Sequence, residues 1–292
     1  MNGLLYLERL ADRDLALLAR WAGEPGPLED RVAQLRAQPD RIEELLARPE
    51  TFQALFERGR EEPLVAGSPF LVFSVLLARV STDLERAAYV PEWVAPRRRV
   101  PLLDGRALGA FVADARRRVF LADLLASYTH VVSGAVWVRS GRRWRRRRWS
   151  ELDPVRLAEL AEVVPEPERP AVYRRLGDLA LFLTGVFPDH TGERLFRPVQ
   201  LERVVRALRA AREEVEAAGG PEELASPIAL VERVGKAFYL LTWRAIGRPE
   251  TGPARVLVEV AERFGDARRV LNFLTDRYLF PLREHWFGGP GA

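Results

Sequence analysis

The chain has 292 residues, of which 48% are hydrophobic, 29% are charged and 9% are aromatic. These proportions are typical of a soluble globular protein, and the length is sufficient to bury a substantial core. Because cysteine is absent, the sequence excludes disulfides, thiolate metal sites and cysteine nucleophiles. Acid–base or metal chemistry by histidine is restricted to His130, His190 and His285.

Positive charge is concentrated in one part of the chain. The formal net charge is +4, and all of the 45 basic residues except Lys236 are arginine. Residues 97–149 contain fourteen arginines and three aspartates, so this segment carries +11 and the rest of the chain carries −7. The arginine bias is typical of a GC-rich genome or a thermophile, whereas the clustering indicates an anionic partner.

Helical periodicity dominates the N-terminal part of the chain. Apolar residues recur every three or four positions from Leu4 to Trp21, which predicts one amphipathic helix or a pair of helices. Three short helices bounded by prolines are then predicted over residues 27–38, 40–48 and 50–58. Asp40 follows Pro39 and is predicted to cap the second of them.

Two longer helices follow. Ser68 and Pro69 supply an N-cap and a first-turn proline, which predict a buried helix from Phe70 to about residue 88. A second helix is predicted from Asp104 to about residue 129. Its three arginines at 116–118 must spread around the helix, so at least one of them is expected near the buried side.

The C-terminal half is predicted to be a helical bundle. Asp153 and Pro154 start a helix that ends near residue 164, and a proline-rich linker follows at 165–170. Further helices are predicted over 171–187, 198–218, 226–246, 253–264 and 266–286. We divide the chain into an N-terminal helical region with the basic hairpin and a C-terminal bundle region, within one compact unit and with a disordered tail: 1–164, 165–287 and 288–292.

One segment is rich in β-strand formers. Residues 131–138 predict a strand, 139–142 a turn and 143–150 a returning strand. Alternation along the returning strand places two sets of residues on opposite faces: Trp144, Arg146 and Arg148 against Arg145, Arg147 and Trp149. Neither face can be buried in an apolar core without isolating guanidinium groups. The predicted fold class is therefore mainly α, a multi-helix array or bundle with one short inserted β-hairpin at about 131–149.

The hairpin is the leading candidate for a binding site. We interpret eight of its residues as a polyanion-binding arm: Arg142, Arg143, Trp144, Arg145, Arg146, Arg147, Arg148 and Trp149. Arginines neutralise phosphates and tryptophans stack on bases, so the expected ligand is DNA or RNA. An anionic membrane surface also suits such a mixture. In the structural alternative, the arm pairs with the acidic remainder of the chain or with a second subunit.

Familiar catalytic motifs are missing. A carboxylate-bridged di-iron bundle needs two Glu-x-x-His pairs, but the residues three positions before the histidines are Ser127, Phe187 and Leu282. The His-Glu-x-x-His, Walker A, Gly-x-Gly-x-x-Gly and Gly-x-Ser-x-Gly patterns do not occur either. We therefore assign no catalytic residue, metal ligand or cofactor, and an enzyme is not the favoured interpretation.

A second candidate site lies in the apolar segment 173–188. Asp178 is a charged residue within a predicted buried helix, and Arg174 and Arg175 precede it by four and three residues. One interpretation is a ligand pocket between helices, formed by Arg174, Asp178, Thr184 and His190. The favoured alternative is a core carboxylate that pairs with arginine and fixes the helix register.

Three functions remain open. The leading hypothesis is a non-enzymatic nucleic-acid-binding or regulatory protein that uses the basic arm. The second is a helical scaffold or homo-oligomer whose arm pairs with protein, and the third is an enzyme or small-ligand sensor with a pocket near Asp178. No motif points to a characterised family. Because the N-terminus lacks a signal-peptide pattern and the longest uncharged stretch, 63–78, is shorter than the about 20 residues of a membrane span, we expect a cytoplasmic protein without a transmembrane segment.

Overall fold

A computed structural model describes residues 2–23, 25–56, 63–95, 98–130, 132–140, 143–188, 227–252 and 254–281. At positions 94–95, 98, 136–140, 143–148 and 227 it describes the backbone. The fold is mainly α-helical with two small two-stranded sheets, which confirms the predicted fold class. Within these residues, no helix is both long and apolar enough to cross a bilayer.

The described residues before position 90 form helices separated by short connections. These helices are α1 (Gly3–Leu7), α2 (Asp12–Trp21), α3 (Leu28–Ala37), α4 (Asp40–Ala47), α5 (Pro49–Phe56), α6 (Pro63–Ala66) and α7 (Pro69–Arg86). The apolar stripe from Leu4 to Trp21 is therefore a pair of helices rather than one.

The rest of the described chain is helical except for two pairs of consecutive strands. In order, its elements are β1 (Val90–Ala95), β2 (Arg98–Leu102), α8 (Gly105–Val112), α9 (Ala115–Ser127), β3 (Ser133–Ser140), β4 (Arg143–Ser150), α10 (Pro154–Val163), α11 (Arg169–Val186), α12 (Pro227–Ala245), α13 (Arg255–Glu262) and α14 (Phe264–Leu274). A 3-10 turn at Glu166–Glu168 precedes α11, and a π-helical turn at Thr275–Leu279 follows α14. The predicted helix over 198–218 lies outside the described residues.

Contacts divide the chain into two compact units, neither of them continuous in sequence. The first unit comprises residues 1–90, 103–129 and 273–292, and the second comprises 91–102 and 130–272. The residues on both sides of the proline-rich linker at 165–170 thus belong to the second unit. The separate regions 1–164 and 165–287 stay a prediction, and the tail 288–292 lies outside the described residues.

Helix α7 is the centre of the first unit. Leu71, Leu76 and Leu77 are completely buried, and α7 packs against α8 and α9. The predicted start of this helix is confirmed, because the Ser68 hydroxyl accepts a hydrogen bond from the Leu71 N–H at 3.2 Å and Pro69 follows it. Burial of the apolar α7 side chains accounts for the uncharged stretch in the sequence.

Two local predictions in the first unit are wrong. Asp40 does not cap its own helix; its Oδ1 accepts the backbone N–H of Gly3 at 3.0 Å, a contact that joins α1 to α4. The single helix predicted from 104 to 129 is broken into α8 and α9. Asp114 causes the break, because its carboxylate accepts the Arg116 N–H at 2.8 Å and so starts a new helix.

Asp114 also makes the stability of the first unit depend on pH. Burial raises the pKa of this carboxyl, but hydrogen bonds from the side chain and backbone of Arg116 outweigh burial and lower the pKa below its ordinary value. The charge therefore contributes fully to stability above about pH 4, the pKa of an unfolded aspartate, and the contribution is lost as the pH falls through the lower folded pKa.

Replacing Asp114 by asparagine separates the charge from the cap. Asparagine retains a capping oxygen, so we expect Asp114→Asn to lower the free energy of unfolding at pH 7 by only about 0.5 kcal/mol. Urea unfolding at pH 7 and at about pH 2 measures the difference between the two proteins, which should be smaller at the lower pH. An equal difference at both pH values would contradict the ionisation argument.

The sheet formed by β1 and β2 was not predicted. Pro91 lies in β1 and Pro101 lies in β2, and proline within a short apolar run argues against a strand because it cannot donate a ladder hydrogen bond. Two-stranded sheets tolerate proline at positions where the N–H would not be paired. Tertiary packing stabilises this sheet, and such packing is not visible in the sequence: Trp93 of β1 is only 6% exposed.

Glycines permit close packing between the helices of the second unit. A Cβ added at Gly177 would lie 2.7 Å from the ring of Tyr239, and one at Gly185 would lie 2.7 Å from Cβ of Leu271. These contacts join α11 to α12 and α11 to α14. Close helix packing therefore explains both glycines of the apolar segment 173–188.

Candidate nucleic-acid interface

Strands β3 and β4 form an antiparallel ribbon. The register pairs Ser133 with Ser150 at the base and Ser140 with Arg143 at the tip. Each strand has eight residues, so at about 3.3 Å per residue the ribbon is about 26 Å long. The hairpin predicted at about 131–149 is thus present, and β4 coincides with the predicted returning strand.

Arginine occupies four consecutive positions of β4. Residues Arg145, Arg146, Arg147 and Arg148 are paired in register with Val138, Trp137, Val136 and Ala135. Because successive residues of a strand alternate between its faces, arginine falls on both faces of the ribbon. Neither face is therefore suited to an apolar core.

The base of the ribbon is fastened to the neighbouring helix by Glu151, which the sequence analysis missed. Its Oε2 accepts the Val132 N–H at 3.1 Å and Nη2 of Arg175, in α11, at 2.8 Å. The side chains of Glu151 and Arg175 are 17% and 15% exposed, so solvent screens this ion pair little. Arg175 therefore faces the ribbon, whereas Arg174, one helix position and about 100° away, faces Asp178.

A second contact to the base comes from α10, which packs against β4. Asp153 caps this helix as predicted, since its Oδ1 accepts the N–H groups of Val155 and Arg156, both at 3.1 Å. An open groove of about 500 Å³ lies here and is lined by Ser133, Gly134, Trp149, Ser150, Asp153 and Arg156. Trp149 is the one predicted arm residue whose side chain is described, and it is half-buried. Arg142 lies outside the described residues.

Three arginines of the +11 segment outside the arm, at positions 116–118, have partners within the first unit. Arg118 is 7% exposed and binds Glu43, the Tyr6 hydroxyl and the backbone carbonyl of Val112, which confirms that one arginine of the 116–118 run is buried. Arg116 pairs with Asp114 at 2.9 Å, and Arg117 lies over the Phe111 ring with its guanidinium 5.0 Å from the centroid. The positive charge at these positions serves the structure of the first unit.

Several carboxylates that are largely shielded from solvent, with less than a quarter of the side chain exposed, are paired with arginines from outside the arm. In the first unit, Asp83 binds Arg79 and Arg277. In the second unit, Glu92 and Glu232 bind Arg268, while Glu151 binds Arg175. Burial lowers the pKa of Arg268, but attraction to Glu232 and Glu92 outweighs it and raises the pKa, so this arginine stays charged. These pairs neutralise acidic charge without using the ribbon.

The second predicted site centres on Asp178, which is 7% exposed. Its Oδ1 accepts a hydrogen bond from the Tyr239 hydroxyl at 2.9 Å, and its Oδ2 lies 3.7 Å from Nε of Arg174. Tyr239 is completely buried, and the sequence did not predict its hydrogen bond to Asp178. No local pattern could reveal a partner that is 61 residues away in the chain.

Of the three residues predicted to form a pocket with Asp178, Arg174 lies beside it. The completely buried Thr184 hydroxyl donates to the Ala180 carbonyl of its own helix at 2.7 Å. His190 lies outside the described residues. Asp178 lines neither the groove at the ribbon base nor a smaller groove beside Lys236. The ligand pocket stays a prediction.

The fold and the ribbon together define a helical protein that carries an arginine-rich two-stranded arm. Among the residues whose placement is known, no group of three or more histidine, aspartate or glutamate side chains is arranged to hold a metal ion. No protein-family model, curated protein sequence or solved structure matches the chain.

Proposed function

We propose that the β3–β4 ribbon is a nucleic-acid-binding arm and that the protein has a binding or regulatory role rather than an enzymatic one. The observation that carries this proposal is the run of four arginines on one continuous strand of a two-stranded ribbon. Arginines on both faces can contact phosphates on two sides of the ribbon at once. Each neutralised phosphate releases counterions, which favours binding at low salt.

The rest of the charge distribution supports a ligand from outside the chain. The shielded carboxylates Asp83, Glu92 and Glu232 are paired with arginines of the helical body. Pairing the arm with these groups would require breaking ion pairs that are partly buried, which is costly. An external polyanion has no such competing partner.

Anchoring of the ribbon base supports the same proposal. Glu151 joins the base to α11, and α10 packs against β4. A ribbon held at its base presents its charges in a defined direction, so less conformational entropy is lost on binding.

The arm is tested by replacing Arg145, Arg146, Arg147 and Arg148 with glutamine. Glutamine keeps a long polar side chain but cannot neutralise phosphate. We expect the affinity for DNA and RNA at about 0.1 M salt to fall at least about tenfold, and the slope of log affinity against log salt to decrease by about 2 to 4. Fluorescence polarisation of labelled oligonucleotides over a salt series measures both quantities.

A matched variant removes the same charge elsewhere. Four arginines of the helical body are exposed and serve as this control: Arg20, Arg86, Arg106 and Arg248. Their replacement by glutamine should leave most of the affinity intact. The proposal is overturned if the two quadruple variants lose affinity equally, or if the unaltered protein binds no nucleic acid. A dimer that dissociates only in the arm variant, without nucleic-acid binding by either protein, would instead support the scaffold alternative.

A further inference from the structure

The groove at the base of the ribbon has the size and lining of a site for a flat aromatic ring. Its volume of about 500 Å³ lies within the range of about 300–1,000 Å³ found for small-molecule sites. The Trp149 indole forms part of the lining and is supported by Gly134 across the ribbon. A Cβ at position 134 would be 3.0 Å from the indole Nε1, so the ring lies directly against the glycine.

Polar groups surround this indole at positions where they can contact a base or its phosphate. Ser133 and Ser150 are cross-strand partners and both line the groove. Arg156 lines it as well; its side chain is 51% exposed, and its Nε lies 3.1 Å from Oδ2 of Asp153. Because the other oxygen of Asp153 caps α10, the carboxylate holds the guanidinium in a defined place.

Two exposed apolar side chains lie close in the chain to the serines of the groove. Val132 precedes Ser133 and Leu152 follows Ser150 by two positions, and they are 52% and 38% exposed. The backbone N–H of Glu151 donates to the Val132 carbonyl at 3.1 Å, so the ladder continues by one residue and keeps the two flanking segments together. Exposed apolar side chains suit the face of a nucleobase more than they suit a phosphate.

We propose that the ligand of the arm is a single-stranded nucleic acid and that one unpaired base occupies the groove beside Trp149. This inference rests on the function proposed above. Arg145 and Arg147, which share the face of Trp149, contact phosphates of the strand, while Arg156 contacts the phosphate next to the inserted base. A base inside a duplex is stacked on both sides, so its face is not available to an indole unless it is first extruded.

The proposal is tested with three labelled ligands: a 20-nucleotide poly-dT strand, a 20-nucleotide poly-rU strand and a 20-base-pair duplex. The variant Trp149→Leu retains an apolar side chain at the edge of the groove but removes the stacking surface. We expect it to weaken binding of both single strands by about tenfold and to change duplex binding less than about twofold. The half-buried Trp21, in the first unit, provides the matched variant Trp21→Leu, which should leave all three affinities unchanged.

A second variant keeps the test valid if Trp149→Leu does not fold. Arg156→Gln alters an exposed side chain, so we expect folding to be normal and single-strand affinity to fall several-fold with duplex affinity unchanged. Circular dichroism spectra and thermal midpoints establish that each variant is folded.

The two proposals fail in different ways. If the arm arginines are needed but neither Trp149→Leu nor Arg156→Gln distinguishes single strands from duplex, the groove proposal is overturned and the arm remains the binding site. If the arm variant binds all three ligands as tightly as the unaltered protein does, the proposed function itself is overturned.

Discussion

Replacing Arg268 by methionine is expected to lower the free energy of unfolding by about 3 to 5 kcal/mol. Arg268 is 2% exposed, and its guanidinium binds Glu232 and Glu92 and donates to Oδ1 of Asn272 at 2.9 Å. Methionine fills much of the same volume but leaves Glu232 without this arginine and Glu92 with Arg269 in place of two arginines. The expected loss comes from this lost charge pairing rather than from a cavity.

Two further variants identify the cause of that loss. Arg269→Met removes an arginine that also binds Glu92, at 2.7 Å, but its side chain is 27% exposed and Arg268 remains, so we expect a cost below about 1 kcal/mol. Adding Glu92→Gln and Glu232→Gln to Arg268→Met removes the stranded charges and should recover much of the lost stability. Chemical unfolding of all three proteins measures these values. A cost for Arg268→Met no greater than that for Arg269→Met would contradict the explanation.

Replacing Gly185 by valine is expected to lower the free energy of unfolding by about 3 kcal/mol. A Cβ at this position would lie 2.7 Å from Cβ of Leu271, an atom that cannot move without the backbone of α14. Separation of α11 from α14 would also stretch the hydrogen bonds from Nδ2 of Asn272 to the carbonyls of Thr184 and Gly185, now 2.9 and 2.7 Å. Overpacking and lost hydrogen bonds therefore act together.

A glycine with room for a Cβ provides the opposite result. Gly109 lies inside α8, and an added Cβ would be no closer than 3.5 Å to its neighbours. Because glycine is unfavourable within a helix, Gly109→Ala should raise stability by about 0.5 to 1 kcal/mol. Thermal and urea unfolding compare the two substitutions. Stabilisation by both Gly109→Ala and Gly185→Val would show that the close approach of α11 and α14 is not needed.

Features that depend on residues close together in the chain could be predicted from the sequence, whereas features that depend on distant residues could not. Ser68 with Pro69, and Asp153 with Pro154, identified the starts of α7 and α10 because a capping side chain bonds to the backbone two or three residues ahead. The β3–β4 hairpin was predictable for the same reason, since its strands are adjacent in sequence. Asp114 is the exception among local signals, because one long apolar pattern concealed a cap in its middle.

The candidate site was predictable as a segment but not as a structure. The run of arginines and tryptophans in 142–149 is visible in the sequence and locates the arm. The role of Glu151, which fastens that arm through Arg175, could not be predicted from the sequence, because its partner is 24 residues away on helix α11. Gly134, which supports the Trp149 indole, has no signal beyond being a glycine in a strand.

Composition and periodicity alone established a mainly helical chain with a basic hairpin and without cysteine chemistry, because these properties depend on residue type and near neighbours. Only the tertiary structure showed that the arginines of the +11 segment, residues 97–149, have different roles. Arg118 is buried against Glu43 in the first unit, while the β4 arginines belong to a ribbon of the second. Which charge is neutralised inside the fold depends on residues such as Glu43, 75 positions from Arg118, and only folding brings such pairs together.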